Sequence, residues 1–106
     1  MDLSQKKCVV CRANTPILSD VMIAERLGQL RGWTLYRRAI QKTFRFNNFK
    51  EALAFFNKVA EISEKEDHHP DMGIYRWRNV DISFTSHAAF GLTENDFIMA
   101  AKVDKL

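Results

Sequence analysis

The chain has 106 residues, 46% hydrophobic and 27% charged, and its 16 basic and 13 acidic side chains give a net charge of +3. These values predict one soluble globular domain spanning residues 1–106, large enough to form a core without disulfides or metals. The charge is too small to indicate nucleic-acid binding, and no apolar run approaches the ~20 residues that cross a bilayer. We therefore expect a cytoplasmic protein without direct contacts to nucleic acid or membrane.

Residues 1–16 show no periodicity, and we interpret them as an irregular N-terminal arm that ends at Pro16. The arm carries a CxxC pair, Cys8 and Cys11. A closed zinc site needs four ligands, and the histidines are not spaced to complete one. Ordinary thiols at a loose terminus are the favoured interpretation, with metal binding or redox sensitivity as alternatives. Replacing both cysteines by serine is expected to leave the fold and the activity nearly unchanged.

A first helix is predicted between an N-cap at Ser19 and a stop at Gly32, because apolar residues recur there at helical spacing. This stripe consists of Ile23, Leu27 and Leu30. Two strands follow at 33–36 and 39–46, where apolar and polar residues alternate. Lys42 interrupts the apolar face of the second strand, which we interpret as a position near the edge of the sheet.

The strongest helical pattern runs from Phe49 to Glu66 and carries a wide apolar stripe. Its two rows are Phe49, Leu53, Phe56, Ala60 and Ala52, Phe55, Val59, Ile62. Further strands are predicted at 75–77 and 79–86, and a last helix after Thr93, where Asp96 completes a capping box. The pattern predicts an α+β fold, with a four-stranded antiparallel sheet, three helices on one face and the order α-β-β-α-β-β-α.

All three histidines lie in two short segments, His68-His69-Pro70 after the long helix and His87 at the end of a polar strand face. Imidazole exchanges protons near neutral pH, so this grouping suggests one proton-handling site. The end of a helix and nearby carboxylates favour the imidazolium form, which suits a general acid. Surface or hydrogen-bonded structural histidines are the alternative. A three-histidine metal site would need the adjacent His68 and His69 to converge on one ion.

The spacing of this region resembles that of the pterin-4a-carbinolamine dehydratases, also known as dimerisation cofactors of a homeodomain transcription factor. The resemblance rests on Glu64, His68-His69-Pro70, Trp77, His87 and Asp96, and it extends to Gly32-Trp33 and Gly91-Leu92-Thr93. The segment between Pro70 and Trp77 is one residue longer than in many members, which leaves Tyr75 or Trp77 for the family's aromatic position. The arm around Cys8 and Cys11 resembles bacterial members that accompany phenylalanine hydroxylase.

The resemblance implies dehydration of 4a-hydroxytetrahydropterin to quinonoid dihydropterin, which recycles the pterin cofactor of aromatic amino acid hydroxylation and needs neither metal nor redox cofactor. It implies that His68 and His87 are acids for the two faces of the hydroxylated carbon, and that His69 binds the pterin and can accept a proton. The polar pocket lining would be Asp67, Thr85 and Ser86. Asp96 would orient an imidazole or simply cap the last helix, and the two are compatible.

The resemblance also implies a homodimer or homotetramer, which free outer strands of the sheet would allow. A functional link to phenylalanine hydroxylase is a further implication. The alternative function is a protein-interaction and dimerisation module that acts as a coregulator of transcription or of hydroxylase expression.

Overall fold

The structure, a computed structural model, describes residues 2–106 and contains the predicted elements in the predicted order. The helices are α1 (Asp20–Leu27), α2 (Phe49–Glu66) and α3 (Glu94–Asp104), and the strands are β1 (Thr34–Tyr36), β2 (Ala39–Arg45), β3 (Asp71–Tyr75) and β4 (Asn79–Phe84). Short 3-10 turns occur at Leu3–Gln5 and His87–Ala89. The strands form one antiparallel sheet in the order β1-β2-β4-β3, which confirms the α+β fold. None of the helices within residues 2–106 is long and apolar enough to span a bilayer.

Side-chain caps set the starts of the helices. Ser19 Oγ accepts a hydrogen bond from the Met22 amide, and Asn48 Oδ1 accepts one from the Glu51 amide. These bonds satisfy amides that have no partner inside a helix. The predicted bounds of α2 are therefore correct, but α1 is shorter than predicted. It ends at Leu27 because Gly28, a poor helix former, follows, so Leu30 lies beyond the helix.

The helical layer covers one face of the sheet. The buried side chains on that face are Ile40, Val80, Ile82 and Phe84. From α2 only Ala52, Val59 and Ser63 are buried, while Phe49 and Leu53 are 50% and 40% exposed. The apolar stripe of α2 is thus wider than the core of one chain can cover.

Lys42 does not mark the edge of the sheet, as its sequence context suggested. It lies on β2, an inner strand, and its Nζ contacts Asp104 Oδ1 at 2.9 Å near the end of α3. The other oxygen of Asp104 accepts a hydrogen bond from the Trp33 indole at 3.0 Å. A lysine is tolerated on the core face because this carboxylate pairs with its charge.

The third strand begins earlier than predicted. β3 starts at Asp71, and Arg76 and Trp77 belong to the turn, with φ values of 50° and 56°. Both residues adopt the left-handed conformation that turns normally give to glycine or asparagine, so the sequence carried no signal for this turn. β4 is paired on both sides, to β2 and β3. The edge strands, which are the ones free to pair with another chain, are therefore β1 and β3, and the predicted strand at 79–86 is an inner one.

The N-terminal arm is irregular apart from its 3-10 turn, but it is not loose. Leu3 is 4% exposed and belongs to the core, and Lys102 Nζ donates to the Ser4 carbonyl at 2.9 Å. The 3-10 turn of the arm packs against α3, which is buried from Asn95 to Ala101. The interpretation of the cysteines as thiols at a loose terminus is therefore corrected.

Candidate active site

The end of α2 sends the two adjacent histidines in different directions. Asp67 takes the left-handed conformation, with φ 53°, and the His68 amide donates to the Ser63 carbonyl at 3.1 Å. This is a common way of closing a helix, and aspartate tolerates it better than most residues do. Pro70 then keeps the chain from continuing as a helix. His68 points into the protein, whereas His69 is largely exposed.

His68 forms a buried pair with Asp96. Its Nε2 lies 2.7 Å from Asp96 Oδ1, and the side chains are 9% and 0% exposed. Because a carboxylate only accepts, Nε2 carries the hydrogen and Nδ1 is the nitrogen left for a ligand. Nδ1 makes no hydrogen bond within residues 2–106. In that range Ser4 Oγ is the only side-chain N or O atom that is both fully buried and unpaired, so the unpaired Nδ1 is not fully buried and a ligand can reach it. The ring lies nearly parallel to that of Phe84.

Asp96 joins the two histidine segments. Its second oxygen, Oδ2, accepts hydrogen bonds from Ser86 Oγ at 2.8 Å and from the Thr93 amide at 2.9 Å. The capping box predicted from sequence is therefore present, and Asp96 also binds His68. Since Ser86 immediately precedes His87, one buried carboxylate fixes the segments that carry both His68 and His87.

The second histidine of the pair makes only a surface contact. His69 Nε2 lies 2.8 Å from Glu64 Oε1, and these side chains are 53% and 80% exposed. Such an exposed pair contributes little to stability, ~0–1 kcal/mol. His69 is therefore free to turn towards a ligand.

His87 opens the 3-10 turn after β4 and is 74% exposed. Its Nε2 lies 3.9 Å from Asp71 Oδ2 at the start of β3. Two clefts are lined by residues near it in sequence: one of about 630 Å³ on the open sheet face, which Pro70 and Asp71 help to line, and one of about 400 Å³, which Ala89 and Phe90 help to line. None of the three histidines lines either cleft.

The remaining predicted site residues divide into two groups. Thr85 lies next to the site, where its hydroxyl donates to the Arg38 carbonyl, and Ser86 is buried in the Asp96 network rather than lining a pocket. Tyr75 and Trp77 lie at the other end of the sheet, because Tyr75 pairs with Asn79 while Asp71 pairs with Ser83. Within one chain, therefore, neither aromatic ring lies beside the histidines.

Sequence reasoning missed two contributors to the network around Asp96. Asn95 is 2% exposed, and its Nδ2 contacts Cys11 Sγ at 3.1 Å. Cys11 Sγ also lies 3.7 Å from Ser86 Oγ and from Thr93 Oγ1. No local pattern could have identified these contacts, because they join the arm to residues more than seventy positions away. Within residues 2–106 no three His, Cys, Asp or Glu side chains are grouped as a metal site.

Cys8 is the cysteine whose acidity the fold changes most clearly. Burial, and then the Glu66 carboxylate, raise the pKa of the Cys8 thiol to about 12. The folded protein therefore holds this proton at pH values where an unfolded cysteine has lost it. Since the thiolate is the nucleophile, alkylation of Cys8 at about pH 8 should be ~10²–10³-fold slower than alkylation of a free cysteine.

This prediction can be measured with iodoacetamide and mass spectrometry in a Cys11→Ser variant, so that only Cys8 reacts. Unfolding the same variant in urea provides the control and should restore the normal rate. Equal rates in the folded and unfolded protein would contradict the shielding of Cys8.

Fold and site together define a small α+β protein that presents imidazoles around a buried carboxylate. Residues 16–106 match the family described as Pterin 4 alpha carbinolamine dehydratase. The chain belongs to this family. A protein named as a pterin-4-alpha-carbinolamine dehydratase in Nitrosospira multiformis is 44% identical, over 99% of this chain and 92% of its own length. The corresponding protein of Nitrosomonas europaea is 45% identical, over 99% and 93%.

Solved structures agree with this assignment. The transcriptional coactivator/pterin dehydratase from Brucella melitensis superposes with a TM-score of 0.79 at 32% identity, over 85% of this chain and 97% of that chain. A pterin dehydratase-like protein identified as a RuBisCO assembly factor in the alpha-carboxysome gives 0.57 at 23% identity, over 69% and 83%, and supports the fold alone. The predicted enzyme class, a hydro-lyase, is confirmed, and the alternative of a pure interaction module is not favoured.

Proposed function

We propose that this protein removes water from 4a-hydroxytetrahydropterin by histidine general acid and base catalysis, giving quinonoid dihydropterin. The observation that carries the proposal is the position of Asp96, which holds the His68 and His87 segments together through His68 and Ser86. One buried carboxylate thus fixes the two segments that carry these imidazoles.

The chemistry requires two proton transfers. Hydroxide is a poor leaving group, so an acid protonates the oxygen on C4a, and a base takes the proton from N5. A positioned imidazole does either near neutral pH, and each transfer typically contributes ~10²–10⁴-fold. The two electrons of the C4a–O bond leave with the water, and the N5–H pair forms the new double bond, so the reaction needs no oxidant.

The surroundings of each histidine suggest its role. His68 has Nε2 fixed by Asp96 and Nδ1 free, which suits a rigid acid on one face of the substrate. His87 is exposed and only loosely paired with Asp71, which suits the acid on the opposite face. His69 can leave Glu64 to bind the pterin and accept the N5 proton. Asp67 immediately precedes His68, and Thr85 lies two residues before His87, so both are polar groups that can contact the pterin beside these imidazoles.

If the two acids serve opposite faces, each should be needed for one epimer of the substrate. We expect His68→Gln to slow dehydration of one 4a-hydroxy epimer by ~10²-fold and His87→Gln to slow the other, with little crossover. Stopped-flow measurements on the separated epimers would test this. Equal losses on both epimers for either variant would contradict the division of roles.

The same proposal places the protein in the cytoplasm beside an aromatic amino acid hydroxylase, such as phenylalanine hydroxylase, whose spent pterin it would recycle. The resemblance of the arm to bacterial members that accompany that hydroxylase supports this link.

A homodimer is also part of the proposal. β3 is an edge strand without proline or lysine, so its outer N–H and C=O groups can pair with another strand. Antiparallel pairing of β3 with its own copy, centred on Gly73, would satisfy these groups in a closed two-fold dimer. It would also bring Tyr75 of the partner subunit beside Asp71. The half-exposed Phe49 and Leu53 on α2 offer a second contact for a tetramer.

The dimer can be tested with proline in β3. Successive N–H groups of an edge strand point alternately towards the neighbouring strand and away from the sheet. Of the adjacent substitutions Met72→Pro and Gly73→Pro, one therefore removes only a donor that points away from the sheet. We expect that variant to stay folded and become monomeric, whereas Val10→Pro in the arm should remain dimeric. Light scattering that finds the unmodified chain as a 12.3 kDa monomer at tens of micromolar would contradict the proposal.

A further inference from the structure

We propose that the N-terminal arm is a positioning element of the active site, which holds the His68–Asp96 pair in place through Asn95 and Cys11. This inference rests on the proposed function for its kinetic consequence, but its structural part concerns the state of the His68 ring and can be tested without any activity.

The arm bridges the two helix ends from which the pair is built. The Cys8 amide donates to Glu66 Oε1 at 3.0 Å, at the last residue of α2. The Val9 amide donates to Asn95 Oδ1 at 3.0 Å, and Asn95 Nδ2 donates back to the Val9 carbonyl. One short stretch of the arm therefore ties the end of α2, before His68, to the first turn of α3, which carries Asp96.

The arm then reaches the polar network itself. Cys11 Sγ accepts from Asn95 Nδ2 and lies 3.7 Å from the hydroxyls of Ser86 and Thr93. These hydroxyls are 2.8 Å apart, and Ser86 Oγ donates to Asp96. Cys11 thus forms the outer wall of a chain of buried polar groups that ends at His68. Without it, water would reach Ser86 and Thr93 and compete for Asp96.

The arm is an addition to the part of the chain that defines the family. The family match covers residues 16–106, and the Brucella melitensis structure covers 85% of this chain. The relatives from Nitrosospira and Nitrosomonas instead match over 99% of it. The bonds from the arm to α2 and α3 therefore supplement a site that the family region already contains. This arrangement fits an arm that adjusts the geometry of the site but is not required to form it.

The state of the His68 ring gives the most specific test. In the unmodified protein the neutral ring should be a fixed Nε2–H tautomer, seen in its imidazole ¹⁵N resonances. Cys11→Ala and Asn95→Ala should shift these resonances towards a mixture of tautomers, while Val10→Ala, a change at an exposed arm residue, should not. Cys11→Ser replaces the thiol by a hydroxyl that can still accept a hydrogen bond from Asn95 Nδ2, and it should stay close to the unmodified protein.

Kinetics add a readout that a merely stabilising arm would not give. Cys11→Ala should lower kcat for the epimer that depends on His68 by about tenfold, because small displacements of a catalytic group are costly, and leave the other epimer within about twofold. Unchanged ¹⁵N resonances in a folded Cys11→Ala protein would overturn the inference, as would equal losses on both epimers. If the resonances shift in Cys11→Ala but the unmodified protein has no dehydratase activity, the proposed function is overturned and the structural inference stands.

Discussion

Replacing His68 and His87 together by glutamine is expected to lower the dehydration rate by at least ~10²–10⁴-fold, the usual contribution of a positioned acid. Each single variant retains the acid for one face of the hydroxylated carbon, and the double variant retains neither. Glutamine is chosen at position 68 because its amide can still donate to Asp96, as His68 Nε2 does. The loss should therefore report proton transfer rather than a damaged network. Stopped-flow rates on the mixed epimers provide the measurement.

The matched control is Glu61→Gln, a change on the exposed face of α2. Both proteins should keep the oligomeric state of the unmodified chain in light scattering. A double variant that retains more than about a tenth of the rate would show that His68 and His87 are not the catalytic acids. One that loses rate and falls apart into monomers would instead favour a structural role.

Replacing Asp96 by alanine is expected to have the largest effect on stability, a loss of about 3–5 kcal/mol in the free energy of unfolding. The carboxylate is fully buried and accepts hydrogen bonds from His68, Ser86 and the Thr93 amide. Its removal leaves these buried donors without partners and also removes the cap of α3. The dehydration rate should fall as well, because His68 loses its orientation.

Urea unfolding measures this loss, and Asp81→Ala is the matched control. Asp81 is also an aspartate with a hydrogen bond, to Thr43 Oγ1 at 2.8 Å, but it lies exposed on the open sheet face. We expect it to cost less than ~1 kcal/mol. Similar losses for the two variants would show that Asp96 does not organise the site.

Local patterns in the sequence predicted the parts of the fold that depend on neighbours along the chain. The bounds of α2 follow from a cap at Asn48 and an unbroken amphipathic stripe, and the start of α3 follows from the spacing of Thr93 and Asp96. The sequence predicts the start of β3 too late, because the residues of its turn, Arg76 and Trp77, adopt positive φ without being glycine or asparagine. Their conformation is imposed by strand pairing, not by their own preference.

The candidate site was predicted in part, for a similar reason. Clustered histidines and a familiar spacing identified His68, His69, His87 and Asp96, but not which imidazole Asp96 would bind. That contact joins positions 28 residues apart and depends on how α2 and α3 pack. The arm was harder still, because it docks through backbone amides and the Asn95 side chain and has no periodicity. A segment without periodicity does not indicate which part of the protein it packs against.

The most direct test of the central claim is the rate at which the purified, unmodified protein dehydrates 4a-hydroxytetrahydropterin in the presence of EDTA. We predict a clear acceleration over the uncatalysed reaction, because imidazoles supply the acid and the base, and we predict no change when EDTA is omitted. A protein that leaves the uncatalysed rate unchanged, or that becomes active only when zinc is added, would contradict histidine acid–base catalysis.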